Sequence, residues 1–323
     1  MPEVLIAGEA LVEIMRPEVG QPLDEPGPFE GPFPSGAPAI CADAVGRMGR
    51  FAGFISAVGA DDFGRCIVRR LAASGVDLTY VRAVPQTTAM AFITYRADGS
   101  RQFLFHLRGS AAEALDPDAV DARYLQGVAY LHLSGSTLAI SAGVRAACLR
   151  LVDRVRALGG RLSFDPNFRP ELLPIEVACA AFTPFVERAA VLFPSGQEAC
   201  WMTGASSPEV GCRMLLERGP AIVALKRGAQ GATAFTPAGM VHVPGELVDE
   251  VDPTGAGDCF AAAMLVALLE GADTEQALTM ANAAGALAVT RRGPMEGTPT
   301  RQTLREFLAR GSVRTLQSRR RGS

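Results

Sequence analysis

Asp252-Pro253-Thr254-Gly255-Ala256-Gly257-Asp258 decides how this chain is read. The stretch is expected to follow a short apolar strand, and it precedes Cys259-Phe260-Ala261-Ala262-Ala263-Met264-Leu265, which is apolar nearly all round. That run predicts a helix buried in a large core, from Asp258 to about residue 269. Gly255 and Gly257 leave backbone N–H groups unshielded where the helix begins. A helix N-terminus carries orphan donors and partial positive charge, which suits an anion. Asp258 then has two readings. As a helix cap, its removal costs only ~1 kcal/mol. As a base, it stands beside a place where negative charge develops, the arrangement that phosphoryl transfer needs.

Outward from this turn the chain alternates strands and helices. Buried strands are expected at residues 4–7, 52–58, 128–133, 161–164, 189–193 and 221–225. Ser35-Gly36-Ala37-Pro38 opens a helix ending near Gly49, with Pro38 in the first turn, where a missing N–H costs nothing. Asp61 or Asp62 caps a helix through residue 73. Ser141 caps another, with Val144, Cys148, Leu151, Val155 and Leu158 on one face. Asp273 with Gln276 forms a capping box for a helix at 274–290. The pattern predicts one α/β domain with a mostly parallel sheet, whose ligands bind at the carboxyl ends of the strands. The loops expected there are Asp165-Pro166-Asn167-Phe168-Arg169, Pro194-Ser195-Gly196-Gln197-Glu198 and Lys226-Arg227-Gly228-Ala229-Gln230-Gly231. Residues 88–95 and 101–105, joined at Asp98-Gly99, form a hairpin that is either a lid or an edge of the main sheet. Residues 17–38, rich in Pro and Gly, form a loop with short strands that belongs to the lid.

The chain has 323 residues, 48% hydrophobic and 20% charged, an ordinary globular balance. A formal net charge of −3 makes no case for nucleic acid or membrane partners. Seven dispersed cysteines without a C-x-x-C pair read as free thiols in a reducing cytosol. Three scattered histidines give a zinc site or a Ser–His triad little to build on. The basic tail, 312–323, is expected to be disordered. No G-x-x-x-x-G-K-[ST] loop occurs, and a dinucleotide G-x-G-x-x-G fails because Phe260 stands at the third glycine position.

Asp252-x-Thr254-Gly255-Ala256-Gly257-Asp258-x-Phe260 resembles the C-terminal signature of the ribokinase-like (PfkB) carbohydrate kinases, and the resemblance extends over about residues 3–310. It implies a three-layer α/β/α fold with a small β lid at about 15–35 and 86–108. It also implies an ATP-dependent kinase acting on a primary hydroxyl of a small sugar. Asp258 would be the base, Gly255, Ala256 and Gly257 the anion hole, and Arg169 a second source of positive charge. The sugar side would comprise Glu13, Gly36, Arg108, Asp165 and Asn167. The nucleotide side would comprise Ser195, Glu198, Lys226, Gly228, Gly231, Asn282 and Ala286. Glu198 would order Mg²⁺ through water, and Asp252 and Thr254 would lie near a monovalent cation such as K⁺. Ser195 replaces the Asn of the family's N-x-x-E, and Ile40 replaces the Asn of its first signature. The family's lid implies a homodimer.

Phe33-Pro34-Ser35-Gly36-Ala37-Pro38-Ala39-Ile40 and Arg108-Gly109-Ser110-Ala111-Ala112 look like the tagatose kinase and 2-keto-3-deoxygluconate kinase relatives within that family. The Tyr-Tyr-Arg run of the keto-acid kinases is missing from Phe105-His106-Leu107-Arg108. Glu13 would repel an acidic sugar. The expected acceptor is a neutral ketohexose of the tagatose or fructose type. Ketodeoxygluconate kinase, ribokinase, nucleoside kinase and a non-catalytic binding protein of the same fold stand as alternatives.

Overall fold

Every residue of the first strand, β1 (Val4–Ala7), is fully buried. Val4 and Ile6 join one core cluster, and Leu5 and Ala7 join the other. A strand covered on both faces reads as an unbroken apolar run rather than an alternation. The computed structural model describes residues 1–98 and 100–310. Gly99 of the expected turn and the tail 312–323 lie outside the described residues. The further strands are β2 (Leu11–Met15), β3 (Glu30–Ser35), β4 (Ala52–Gly59), β5 (Asp77–Val84), β6 (Ala89–Tyr95), β7 (Arg101–His106), β8 (Tyr130–Ser134), β9 (Arg161–Asp165), β10 (Ala189–Leu192), β11 (Ile222–Lys226), β12 (Ala232–Thr236) and β13 (Gly239–Val243).

The large sheet runs β13-β12-β11-β10-β9-β8-β1-β4-β5. It is parallel from β5 to β11 and turns antiparallel at β12 and β13. The helices Ala37–Arg47, Asp62–Ala73, Ala256–Leu269 and Thr274–Ala288 pack on one face. The helices Ala142–Ala157, Ile175–Val186, Gly196–Thr203 and Pro208–Leu216 pack on the other. The fold is ribokinase-like α/β, as the resemblance implied. The expected caps are present: Asp61 accepts from the Gly64 N–H, Ser141 from Val144, and Asp273 with Gln276 closes a capping box.

The helix after the decisive turn starts at Ala256, two residues earlier than expected. Gly255 adopts φ 82° and takes the N-cap position. Residues 259–267 are all buried, so this helix has no solvent face and its position in the core is set by packing on every side.

A second sheet, β3-β2-β6-β7, stands apart from the first. Strands β2 and β6 pair in parallel, with antiparallel partners outside them. The hairpin is therefore part of a separate lid and not an edge of the main sheet. The lid begins at Leu11, earlier than expected. Three features were not anticipated. Strand β5 lies at the sheet edge with only Val84 buried, and β12–β13 form an antiparallel hairpin. Leu158, expected on the apolar face of its helix, is exposed, because the helix stops at Ala157.

The loop 17–29 wraps around one fully buried arginine. Arg16 donates from Nε to Pro22 O at 3.1 Å, from Nη1 to Pro28 O at 3.1 Å, and from Nη2 to Glu25 O. Its guanidinium also lies 4.0 Å from the centre of the Phe29 ring. Removing the donors strands three carbonyls, at a cost of ~1–3 kcal/mol each where water cannot replace them. Arg16→Met is expected to speed limited proteolysis within residues 17–29 while the main sheet survives. An unchanged cleavage pattern would show that the loop does not depend on Arg16.

Candidate active site

The carboxyl ends of β1, β9 and β11 and the start of the Ala256–Leu269 helix meet at two adjoining cavities. The first, about 770 Å³, is polar and is roofed by the lid strand β7. Glu9, Glu13, Asp165 and Asp258 face it, together with Arg101, Arg169 and Lys226. The second, about 850 Å³, is more apolar. It lies between Lys226, Gly228, Gly231 and residues 245–248 on one side and Phe260, Asn282, Gly285, Ala286 and Val289 on the other. Lys226, Pro253 and Gly257 line both cavities, so the decisive turn forms the partition between them.

The turn is held from below by Asp252. Its Oδ1 accepts from the Thr254 N–H at 3.0 Å and from the Thr254 hydroxyl at 2.6 Å. Its Oδ2 accepts from the Gly293 N–H at 3.0 Å. The residues expected near a monovalent cation thus build the turn itself, and Arg101 Nη1 donates to the Thr254 hydroxyl oxygen at 2.8 Å. A Cβ on Gly255 would meet Pro294 O at 2.4 Å, in a φ that disfavours side chains. The first intrahelical bond runs from the Cys259 N–H to Gly255 O at 2.9 Å, so the Gly257 and Asp258 amides precede it at the partition.

Asp258 is not the helix cap. No side chain caps this helix, and no protein donor reaches the Asp258 carboxylate among the described residues. One side of the group opens on the polar cavity and protein encloses the rest. Burial pushes its carboxyl up to about 8; Asp165 adds to the rise, and Lys226 and Arg169 pull against it. The neighbouring acids differ in how fully they are paired. Asp165 Oδ2 accepts from Lys226 Nζ at 2.5 Å. For Lys226, burial lowers the pKa, but the charges of Asp165 and Glu198 outweigh it and the pKa is raised. Asp165 Oδ1 also accepts from the Asn167 N–H at 3.2 Å, and Asn167 Nδ2 donates to Ser134 Oγ at 3.0 Å. Glu13 Oε1 accepts from Ser35 Oγ at 2.6 Å, whereas Oε2 is buried and has no partner. Burial, with Asp252 adding, pushes Glu13 up to about 7.

Most of the expected site residues gather here. Gly36 lies against the backbone of β2's approach: a Cβ on it would meet Glu9 O at 2.6 Å. Arg169 faces the polar cavity, and its Nη1 donates to Phe168 O at 3.1 Å. Gly228, Gly231, Asn282 and Ala286 line the apolar cavity. Asn282 Nδ2 donates to Val243 O at 2.9 Å and Pro244 O at 3.1 Å, which ties the helix to the end of β13.

Three of the expected residues, Arg108, Ser195 and Glu198, line neither cavity. Arg108 is exposed and lies outside the polar cavity; its Nη2 donates to Leu172 O at 3.0 Å, so it braces the loop behind the cavity wall. Glu198 accepts from the Ser195 N–H at 2.6 Å and the Phe168 N–H at 2.9 Å, the bonds of a capping box extended to the next loop. It acts there as a first-turn helix carboxylate. Two residues facing the polar cavity were missed. Glu9, which accepts from Ser136 at 2.6 Å and from Thr137, was readable only as a charge interrupting an apolar stretch. Arg101 was read only as part of a strand, and nothing local shows where that strand points. The loop 245–248 carried no signal.

An anion-binding turn, an unpaired carboxylate and two cavities that share a wall define a phosphotransferase-type site. The chain belongs to the pfkB family of carbohydrate kinases, whose model matches residues 1–301. It is 33% identical over 307 residues to fructokinase-1 of Oryza sativa subsp. japonica, covering 92% of this chain and 94% of that protein. It is 32% identical over 279 residues to the 2-dehydro-3-deoxygluconokinase of Bacillus subtilis, covering 85% of this chain and 86% of that protein. Among solved structures it is similar to an E. coli protein called Ribokinase II in complex with ATP and Mg²⁺, with a TM-score of 0.90 and 43% identity over 96% of this chain and 100% of that one. The expected family and enzyme class are thereby established: the protein is a sugar kinase.

The buried carboxyl has a consequence for stability. Folded Asp258 keeps its proton up to about pH 8, whereas an unfolded Asp releases it near pH 3.9. The folded state loses stability relative to the unfolded one as pH rises from about 4 to about 8. Each unit of elevation is worth about 1.4 kcal/mol, and the open side of the carboxylate reduces the total. Asp258→Asn should therefore melt above the wild type at about pH 8–9 and match it near pH 4. This reverses the loss expected of a helix cap. Equal melting temperatures at both pH values would show that the carboxyl is not elevated.

Proposed function

We propose that this kinase transfers the γ-phosphoryl group of ATP to a primary hydroxyl of a neutral ketohexose, of the fructose or tagatose type. The observation that carries the reading is the unpaired Asp258 carboxylate on the partition between a polar and an apolar cavity. The polar cavity suits a sugar, and the apolar one suits a base and ribose. Asp258 takes the proton of the acceptor hydroxyl. That oxygen attacks the γ-phosphorus as the bond to the β-phosphate oxygen breaks and ADP leaves. The Gly257 and Asp258 amides and Arg169 meet the charge on the transferring group. Lys226, fixed by Asp165, stands beside the passage: a Cβ on Gly257 would lie 3.4 Å from its Nζ. Residues 1–310 work as one catalytic unit, with the four-stranded sheet as its lid.

No cluster of three or more His, Cys, Asp or Glu that could hold a metal occurs among the described residues. Mg²⁺ suits such a site when it is carried on phosphates and water rather than in a protein cage. It would then neutralise phosphate charge, with Glu198 acting at a distance on the Lys226 side.

The unpartnered Glu13 Oε2 supports a neutral, hydroxyl-rich acceptor, because it needs a donor and repels a carboxylate. A second reading, a 2-dehydro-3-deoxygluconate acceptor, is favoured by Arg101 and Arg169, which face the cavity without a carboxylate partner. Comparing kcat/KM for tagatose, fructose, ribose and the keto acid separates them. A neutral ketohexose should lead by at least ~10-fold, about 1.4 kcal/mol of discrimination; a lead for the keto acid overturns the first reading. The open edges of β3 and β7, with Leu104 exposed, support a homodimer through the lid, testable by sedimentation. Seven free cysteines support a reducing compartment; no described helix is long and apolar enough to cross a membrane.

If Asp258 is the base, Asp258→Asn should lower kcat by ~10²-fold or more with little change in ATP affinity. The kcat/KM of the wild type should rise with pH and level off near pH 8, as the carboxyl loses its proton. A profile flat from about pH 6 to 9 would remove Asp258 from that role.

A further inference from the structure

The lid touches the anion turn at one rung of its hairpin. Tyr95 and Arg101 are cross-strand partners at the end of β6 and the start of β7. Arg101 Nη1 donates to the Thr254 hydroxyl at 2.8 Å, across 153 residues of sequence. That hydroxyl donates in turn to Asp252 Oδ1 at 2.6 Å. Tyr95 lies beside the same carboxylate: burial first, then the Asp252 charge, raises its phenol pKa. The lid's root is tied to the neighbouring loop. Arg292 Nη2 donates to Arg16 O at 2.6 Å and Nη1 to Pro17 O at 3.1 Å. The adjoining Gly293 N–H donates to Asp252 Oδ2 at 3.0 Å. Lid and turn therefore share Asp252 and Thr254 as common ground.

Arg101 also differs from the other cations of the polar cavity. Lys226 is committed to Asp165. Arg169 comes from the loop after β9. Arg101 alone among the cavity's cations is carried by the lid, and among the described residues it forms no ion pair. One of its donors is used on Thr254, and its guanidinium lies 5.3 Å from the Phe103 ring centre. The remaining N–H groups are available to oxygen atoms in the cavity, within the same enclosure as the unpartnered Glu13 Oε2.

We propose that Arg101 is a positioning residue that completes the acceptor cavity from the lid and couples lid closure to the anion turn through the Thr254 hydroxyl. This rests on the acceptor-cavity reading above. The geometry requires the two halves of the contact to act together. Losing either should open the cavity to water and loosen the sugar; loss of Arg101 leaves the Thr254–Asp252 bond and hence the turn in place, whereas loss of the Thr254 hydroxyl also removes one of the bonds that hold the turn.

A double-mutant cycle on Arg101→Ala and Thr254→Val tests this, with sugar KM, kcat, melting temperature and the ratio of ADP to sugar phosphate as readouts. Each single variant should raise sugar KM about 10-fold and raise the ADP ratio, while the melting temperature of Arg101→Ala stays at the wild-type value. The double variant should be no worse than the worse single. Thr254→Ser, which keeps the hydroxyl, should keep the coupling: Arg101→Ala should raise sugar KM by the same factor in the Thr254→Ser background as in the wild type. Additive losses, or an Arg101→Ala variant with unchanged KM and ratio, would overturn the proposal. Should Thr254→Val not fold, Arg101→Ala against Arg101→Lys decides it: a KM that stays at the wild-type value in both overturns it, and a rise in Ala partly restored in Lys supports it. Failure of the wild type to form ADP in response to any sugar would instead count against the acceptor-cavity reading.

Discussion

The Asp252 carboxylate is the constraint on which this site depends. The helix that follows it is buried on every face, so no polar stripe fixes where it begins. Its start is fixed instead by three hydrogen bonds that converge on one side chain, from Thr254 twice and from Gly293 once. With Thr254 held, Gly255 turns through a left-handed φ of 82° with its α-carbon against Pro294. The helix then enters the core with its free amides at the partition between the cavities. A buried carboxylate is costly unless its lone pairs are satisfied. Asp252 is satisfied by the structure it organises.

The five carboxylates around the site form a series. Asp252 and Glu9 accept hydrogen bonds at both oxygens, and Asp165 pairs with a lysine and a backbone amide. Glu13 is half satisfied, and Asp258 receives nothing. The first three are each held by protein donors at both oxygens. The last two alone among the five have an oxygen with no protein partner; like Glu9 and Asp165 they face the polar cavity, and burial raises their carboxyls as it raises that of Glu9. Unpaired buried charge is tolerated where a substrate completes it. On the proposed reading, the oxygens left without a protein partner are the ones a substrate meets.

What the sequence showed clearly was local. Fully apolar strands such as β1, and the caps at Asp61, Ser141 and Asp273, depend on neighbours within a few residues and were read correctly. Ser195-x-x-Glu198 makes the same point. Its spacing is that of a capping box, and the structure forms one; the Mg²⁺ role that N-x-x-E implies concerns a group beyond the protein's own bonds. The failures were tertiary. Arg108 and Arg101 are both arginines near the ends of one lid strand, and only the register of β6 on β7 and the seat of the lid decide which enters the cavity. Strand β5 was missed because its apolar residues Leu78, Tyr80, Val81, Ala83 and Val84 follow no strict alternation and are broken by Asp77, Thr79 and Arg82. The hairpin β12–β13 was missed because its small and polar residues give no clear period.

The partition itself explains why two glycines bracket Ala256. Gly255 is required by its backbone angle. Gly257 has no such angle, and its Cα faces Lys226 across a gap where a Cβ would stand 3.4 Å from Nζ. That contact is tight but not forbidden, so the backbone alone does not demand glycine at 257. The demand comes from the passage. Lys226 and Gly257 line both cavities, and a side chain between them would narrow the route by which a group moves from one to the other. Reach would also suffer, because a lysine already anchored to Asp165 at 2.5 Å has little freedom to move aside. Glycine here keeps a window open, and the ammonium at its edge meets negative charge passing through it.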